Sequence, residues 1–244
     1  MKEISIINNQ TLLAGFTSGK YGIWSGNEPQ DPPTDDYKAL SRKLDTPLSH
    51  FIRPYQAGGD KVEIVSSDKG GSGVIKDNDL RKVDGLITAE KGLVLSIIAA
   101  DCVPVFLYDA SAGVIGILHC GWRSASGDII RTAVERMRTI GASTPDINIA
   151  IGPHICKNCY EVGEDVRKEY AGAFSEKNLQ KLFSLRNKKL YLDLSAAIKA
   201  KAAAENIPVD NISDSNMCTF CEPEFYSYRR GDRGKQNLAY IMLK

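Results

Sequence analysis

The chain has 244 residues, enough to bury a sizeable core as one large domain or two small ones. Hydrophobic residues make up 43% and charged residues 25%, as in ordinary globular proteins, and a net charge of +1 without a basic tract gives a nucleic-acid partner no electrostatic support. The opening run Met1 to Ile7 is too short an apolar segment for a signal peptide or a membrane span, so it is expected to be a first strand of a cytoplasmic protein.

Leu12 to Thr17 predicts a strand, and the glycine-, proline- and acid-containing segment from Ser18 to Asp36 a long surface loop. A short helix from Asp36 to Leu44 follows, with Tyr37, Leu40 and Leu44 on one face. Val62 to Val65 predicts a strand, and the polar, glycine-rich Ser66 to Asp79 a mobile loop. Leu93 to Ala100 is almost continuously apolar, which predicts a strand covered on both faces. Val103 to Tyr108, a turn over 109–113 and Val114 to Leu118 predict a hairpin.

A helix is expected from Gly127 to Ile140, with Ser126 as N-cap and Gly141 just past its end. Strands are expected at Ile147 to Ile151 and Lys189 to Leu194, helices at Glu164 to Phe174 and Ser195 to Asn206. Phe225 to Arg229 and Leu238 to Leu243 complete the strands. Strands and helices mix without regular alternation or internal repeat, and no linker divides the chain, so a single α+β layered domain is expected.

Six cysteines, in a chain of this size, point to free, metal-binding or catalytic thiols rather than a disulfide framework. Cys102 and His119 stand 17 residues apart at the two ends of the expected strand pair, so both side chains can return to one end of the sheet. A thiol facing an imidazole is either a pair of metal ligands or a nucleophile with its base. Arg123, Arg229 and Arg230 are candidate anion contacts, because a guanidinium fork fits phosphate or carboxylate; strand alternation would leave one of the last two in solvent, and Arg229 is the choice. Tyr160 and Trp122 are candidate stacking surfaces or core aromatics. Lys69-Gly70-Gly71-Ser72-Gly73 lacks the ending and following helix of a phosphate loop.

The runs ADCVPV (from Ala100), LHCGWR (from Leu118), IGPHICKNCYEVGEDV (from Ile151), YLDL (from Tyr191) and the C-terminal CTFCEPEFYSYRRGDRGKQNLAYIML resemble, in order and spacing, the YfiH-like family. These are bacterial laccase-domain proteins, also called multicopper polyphenol oxidases and regarded as purine nucleoside phosphorylases. The resemblance spans residues 84–244 strongly and the first third weakly. It implies an α-β-β-α sandwich with mixed sheets, shared with cytotoxic necrotizing factor-type cysteine hydrolases. It also implies a zinc ion held by two histidines and one cysteine, with phosphorolysis or deamination of purine nucleosides. Cys102 matches the family's cysteine ligand and His119 its second histidine. The partners implied are a purine nucleoside and phosphate, with neither nucleic acid nor membrane, on a monomer or homodimer.

Gly58, in Gln56-Ala57-Gly58-Gly59, stands where the family's first histidine ligand belongs, so two ligands are visible where a catalytic zinc normally has three. His50 and His154 are the remaining histidines that could substitute. Three histidines cannot furnish the several copper centres of a laccase. Three readings follow: a zinc-dependent nucleoside enzyme; a metal-independent cysteine hydrolase with Cys102 as nucleophile, His119 as base and Asp101 or a backbone carbonyl orienting the ring; or a purine-binding protein without turnover. Cys156-x-x-Cys159 and Cys218-x-x-Cys221 form two units of the kind that builds four-cysteine zinc sites. The separation of 59 residues between them favours reduced thiols near the pocket instead.

Overall fold

The structure, a computed structural model, describes residues 3–17, 35–77 and 79–244. The loop expected from Ser18 lies almost wholly outside the described residues. The chain runs β1 (Glu3–Asn8), β2 (Leu12–Thr17), α1 (Asp35–Leu44), β3 (Phe51–Ile52), β4 (Val62–Ile64), β5 (Gly85–Thr88) and β6 (Val94–Ala99). The hairpin β7 (Val103–Asp109) and β8 (Val114–Cys120) leads into α2 (Trp122–Ser126) and α3 (Ile129–Thr139). Then come β9 (Asn148–Ile151), β10 (Glu161–Val162), α4 (Glu164–Ala173), α5 (Glu176–Leu182), β11 (Phe183–Arg186) and β12 (Lys189–Leu192). The chain closes with α6 (Leu194–Ala204), β13 (Ile212–Asp214) and β14 (Asn237–Leu243).

Two mixed sheets form the centre, one in the order β1-β2-β14-β6-β3 and the other β13-β9-β7-β8-β5-β4, with a small β10-β12-β11 sheet beside them. Alternation along each strand decides which layer a side chain enters. In β14, Ala239, Ile241 and Leu243 meet Phe106, Ile115 and Ile117 of the facing sheet. Leu238, Tyr240 and Met242, on the other face, pack with Tyr37 and Leu40 of α1. In β7 and β8, Val103, Val105, Leu107, Val114 and Leu118 face away from the first sheet, against Ile130, Val134 and Met137 of α3 and Ala197 and Ile198 of α6. The order is α1, sheet, sheet, α2–α6: the α-β-β-α sandwich that the resemblance implied. β6 and β14 are buried along their whole length, so nearly every residue in them is apolar.

Three local expectations are corrected. Phe225 to Arg229 is a set of turns, not a strand, because the Arg230 guanidinium donates to the carbonyls of Thr219, Phe220, Glu222 and Phe225 and curls the segment around itself. The helix expected from Gly127 to Ile140 is α3, which starts at Ile129 with Asp128 as its N-cap, while Ser126 ends the short, unexpected α2 instead of capping α3. The break is at Gly127, where the Asp60 carboxylate stands in the space a Cβ would need and accepts the Asp128 N–H at 2.9 Å. The loop from Ser66 is pinned to β3: Gly71 N–H donates to Phe51 O, Arg53 N–H to Ser72 O and Arg53 Nε to Gly73 O.

Candidate active site and a four-cysteine cluster

Strand register builds the site. In the β5–β8 ladder Gly85 pairs with Leu118, so Asp84, one residue earlier, falls opposite His119; the His119 N–H donates to the Asp84 carbonyl at 2.7 Å. In the β7–β8 ladder His119 pairs with Pro104, which brings Cys102, just before β7, to the same end of the sheet. Asp84, His119 and Cys102 therefore form a row across three neighbouring strand ends. Their side chains share the parity of Leu86, Ile117 and Phe106, which point into the space between the sheets.

Asp84 is fully buried, yet its carboxylate is well supplied with donors. It accepts the N–H groups of Ala57, Gly58 and Gly59 at 2.8–3.2 Å and His119 Nδ1 at 2.9 Å. Burial pushes its pKa up, but the His119 hydrogen bond and the Gly59 and Gly58 N–H groups outweigh that and hold it below the ordinary carboxylate value. With Nδ1 fixed on Asp84, Cys102 is the second group that acts on the charge of the His119 ring. Burial opposes protonation of His119, but the Cys102 sulfur and Asp84 together push its pKa up to about 10. The ring is thus an imidazolium at neutral pH. Cys102 Sγ lies 3.3 Å from the point a Cβ would occupy on Gly121, so glycine there lets the sulfur rest against the start of α2. Cys120, one residue from His119, faces the helical layer; burial drives its thiol pKa well up, and it is inert core.

The other predicted site residues surround this row. Tyr160 has its pKa pushed up to about 12 by burial; Cys102 and Asp101 add to this, and Arg229 and Arg123 oppose it. All five groups therefore share one electrostatic neighbourhood. Arg229 lies over the Tyr160 ring at 5.2 Å and donates to Glu161 O, while Arg123 lies over the Trp122 ring at 4.1 Å. Arg230, by contrast, is the internal clamp described above. Both arginines sit in a turn and not in a strand, so it is the hydrogen bonds of Arg230, and not strand alternation, that separate their roles.

The orienter of the imidazole is Asp84, not Asp101. Asp101 is buried with φ +88 and accepts from Thr219 Oγ1 at 2.6 Å, Ser227 Oγ at 3.0 Å and the Arg229 N–H at 2.7 Å. It ties the C-terminal loop, and with it Arg229, to the base of β7. The sequence holds a signal for Asp84 that was overlooked: an acid directly before the apolar run Gly85-Leu86-Ile87, a context resembling that of Asp101.

The zinc implied by the resemblance does not fit the residues at this place. Gly58 offers no donor, has φ +74, and no atom lies within 4 Å of where its Cβ would project. Neither spare histidine fills the gap: His50 is exposed at the start of β3, and His154 Nδ1 donates to Gly152 O at 2.8 Å. Among the described residues, one group of three or more histidine, cysteine or acidic side chains is gathered closely enough to hold a metal, and it lies elsewhere. It is Cys156, Cys159, Cys218 and Cys221, whose sulfurs all fall within 4.8 Å of one another. The 59-residue separation is closed by a parallel bridge between His154 and Cys218.

Comparison with known proteins agrees with this architecture. Residues 14–244 match the family model described as multi-copper polyphenol oxidoreductase laccase. A purine nucleoside phosphorylase of Deinococcus radiodurans is 35% identical over 236 residues, covering 96% of this chain and 86% of the relative. Adenosine deaminase RL5, from an unknown prokaryotic organism, is 33% identical over 193 residues, covering 78% of this chain and 74% of that one. The crystal structure of the hypothetical protein YfiH of Bacillus licheniformis superposes with a TM-score of 0.85 at 30% identity, covering 96% of this chain and 93% of the other. YlmD of Geobacillus stearothermophilus gives 0.84 at 29%, with coverages of 96% and 92%. With residues 14–244 matched by the family model and its fold shared over nearly its whole length with YfiH and YlmD, this chain belongs to the YfiH/YlmD laccase-domain family.

Proposed function

We propose that the protein is an enzyme acting on purine nucleosides, with phosphorolysis of the N-glycosidic bond as its main reaction. The observation that carries this is the His119 imidazole held by Asp84 at the strand end it shares with Cys102, in the same electrostatic neighbourhood as Arg123, Arg229 and Tyr160. Tyr160 would stack on the base and the two arginines would hold phosphate. A phosphate oxygen bonds to C1′ of the ribose as the bond from C1′ to the base breaks; the base leaves with the electron pair and takes a proton from His119. The names of the relatives, a phosphorylase and an adenosine deaminase, support a purine nucleoside as substrate. No step here is routed through a metal, because the third ligand is missing. The reading places the enzyme in the cytoplasm, whose reducing environment suits six free cysteines. No helix among the described residues is long and apolar enough to cross a membrane.

The test is incubation with inosine and phosphate, and separately with adenosine, following free base, ribose 1-phosphate and inosine. Base release that depends on phosphate and disappears in His119→Gln is expected. Absence of any turnover by well-folded wild-type protein would refute the assignment.

One observation favours a second reading. Asp84, His119 and Cys102 line up as orienter, imidazole and thiol, the arrangement of cysteine hydrolases. In that reading the Cys102 sulfur attacks an amide carbonyl and His119 gives its proton to the leaving amine. Selective labelling of Cys102 by iodoacetamide at neutral pH, with amidase activity indifferent to chelators, would distinguish it.

A further inference from the structure

We propose that Cys156, Cys159, Cys218 and Cys221 hold a structural zinc ion that staples together the two loops carrying Tyr160 and Arg229. Cys156 and Cys159 lie in the loop between β9 and β10, Cys218 and Cys221 in the turns between β13 and β14. The sulfurs of Cys156 and Cys159 are 3.6 Å apart and those of Cys159 and Cys221 3.4 Å. A tetrahedron of sulfurs at 2.3 Å from zinc has an edge of about 3.8 Å. Disulfides would join the sulfurs two by two at about 2.05 Å; here all four lie within 4.8 Å of one another, with none bonded to another.

The backbone around them has the form such a site needs. Each Cys-x-x-Cys unit closes a tight turn, with Cys159 N–H donating to Cys156 O and Glu222 N–H to Cys218 O, both at 2.9 Å. The Cys156 N–H donates to the Cys218 sulfur at 3.3 Å, from the opposite turn. Such N–H donors stabilise sulfur that carries thiolate charge. An arginine braces each turn from outside. Arg186 donates to the carbonyls of Lys157 and Asn158, and Arg230 to those of Thr219, Phe220 and Glu222. Four sulfur donors select a soft or borderline ion, and zinc has no redox chemistry to expose at a site where Cys221 meets solvent.

The position gives the site its role. Tyr160 follows Cys159 directly, and Thr219, between the other two cysteines, donates to Asp101, which also accepts the Arg229 N–H. The ion would fix both loops to one point at the edge of the active site, independently of the reaction catalysed there.

Zinc content of the full chain, purified under reducing conditions, tests this by elemental analysis. Wild type and Cys102→Ser should each carry about one zinc per chain. Cys159→Ser and Cys221→Ser should lose it at least about tenfold. Cobalt exchanged into wild type should show the charge-transfer and d–d bands of a tetrahedral all-thiolate centre. Should a serine variant fail to fold, chelation of wild type supplies the answer: release of the zinc should lower the melting temperature, and zinc added back should restore it. Zinc that follows Cys102 rather than Cys159 and Cys221, iron in its place, or six freely titratable thiols that take up no cobalt would each overturn the proposal.

Discussion

Replacing Asp84 by asparagine keeps the shape of the side chain but removes its charge and half of its acceptors. The Asp84 carboxylate serves four donors, His119 Nδ1 and the N–H groups of Ala57, Gly58 and Gly59, with no exposed surface of its own. A hydrogen bond to a charged group contributes about 1.5–3 kcal/mol. Removing that from the imidazolium brings the His119 pKa from about 10 to roughly 8–9. The amide oxygen can satisfy about two of the four donors, and its NH2 must face the other two. Leaving two buried donors unpaired at about 1–3 kcal/mol each costs about 2–6 kcal/mol in total. At about 2–4 °C per kcal/mol for a domain of this size, the melting temperature should fall by roughly 5–25 °C. The histidine Cε1–H resonances, three in this chain, report the titration directly, with His119 assigned by its absence in His119→Gln. An unchanged His119 titration in folded Asp84→Asn would refute the claim that this carboxylate sets the charge of the ring.

The same proton makes stability depend on pH. His119 has its folded pKa raised from 6.5 to about 10, so its contribution is fully present below pH 6.5 and is lost as pH rises through about 10. Melting temperature should therefore decline across that window in wild type and decline less in His119→Gln; parallel curves would contradict the assignment. Gly58→His places an imidazole in open space at a left-handed backbone position, which costs about 1–2 kcal/mol without metal. It should bind one zinc beyond the wild-type content, abolished again by Cys102→Ser, and an unaltered metal content would show that the three positions do not converge. Asp101→Asn should act through the C-terminal loop, because it weakens the hold on Ser227 and the Arg229 N–H. The expected result is a raised KM for phosphate with the His119 titration unmoved; a shifted titration would instead make Asp101 a partner of the ring.

The layered fold was legible because its core elements carry strong apolar signals. The near-continuous apolar runs of β7, β8 and β14 mark strands covered on both faces, and the 3.6-residue spacing of Ile130, Val134 and Met137 marks the buried face of α3. What escaped the sequence were elements whose form depends on one distant group. Phe225 to Arg229 reads as a strand until the Arg230 guanidinium collects the surrounding carbonyls, and the α2–α3 break depends on Asp60, far upstream. Cys102 and His119 could be paired from hairpin geometry, since they lie at the open ends of adjacent strands. Asp84 belongs to a strand reached by a long connection, so its register against His119 is invisible without the β5–β8 ladder. The four cysteines failed as a local motif for the same reason: a single bridge between His154 and Cys218 removes the sequence distance that argued against them.

The absence of a ligand at Gly58 need not dismantle the site, because the features a metal ligand requires and those a proton donor requires overlap. A zinc-bound histidine has its ring fixed by a carboxylate on the other nitrogen, and a catalytic imidazolium needs the same carboxylate to stay charged and aligned. Asp84 supplies that carboxylate whichever role His119 plays. It also holds the N–H groups of Ala57, Gly58 and Gly59, so the loop that would present a third ligand keeps its shape without one. No atom lies within 4 Å of where a Gly58 Cβ would project, so glycine at this position breaks no packing contact.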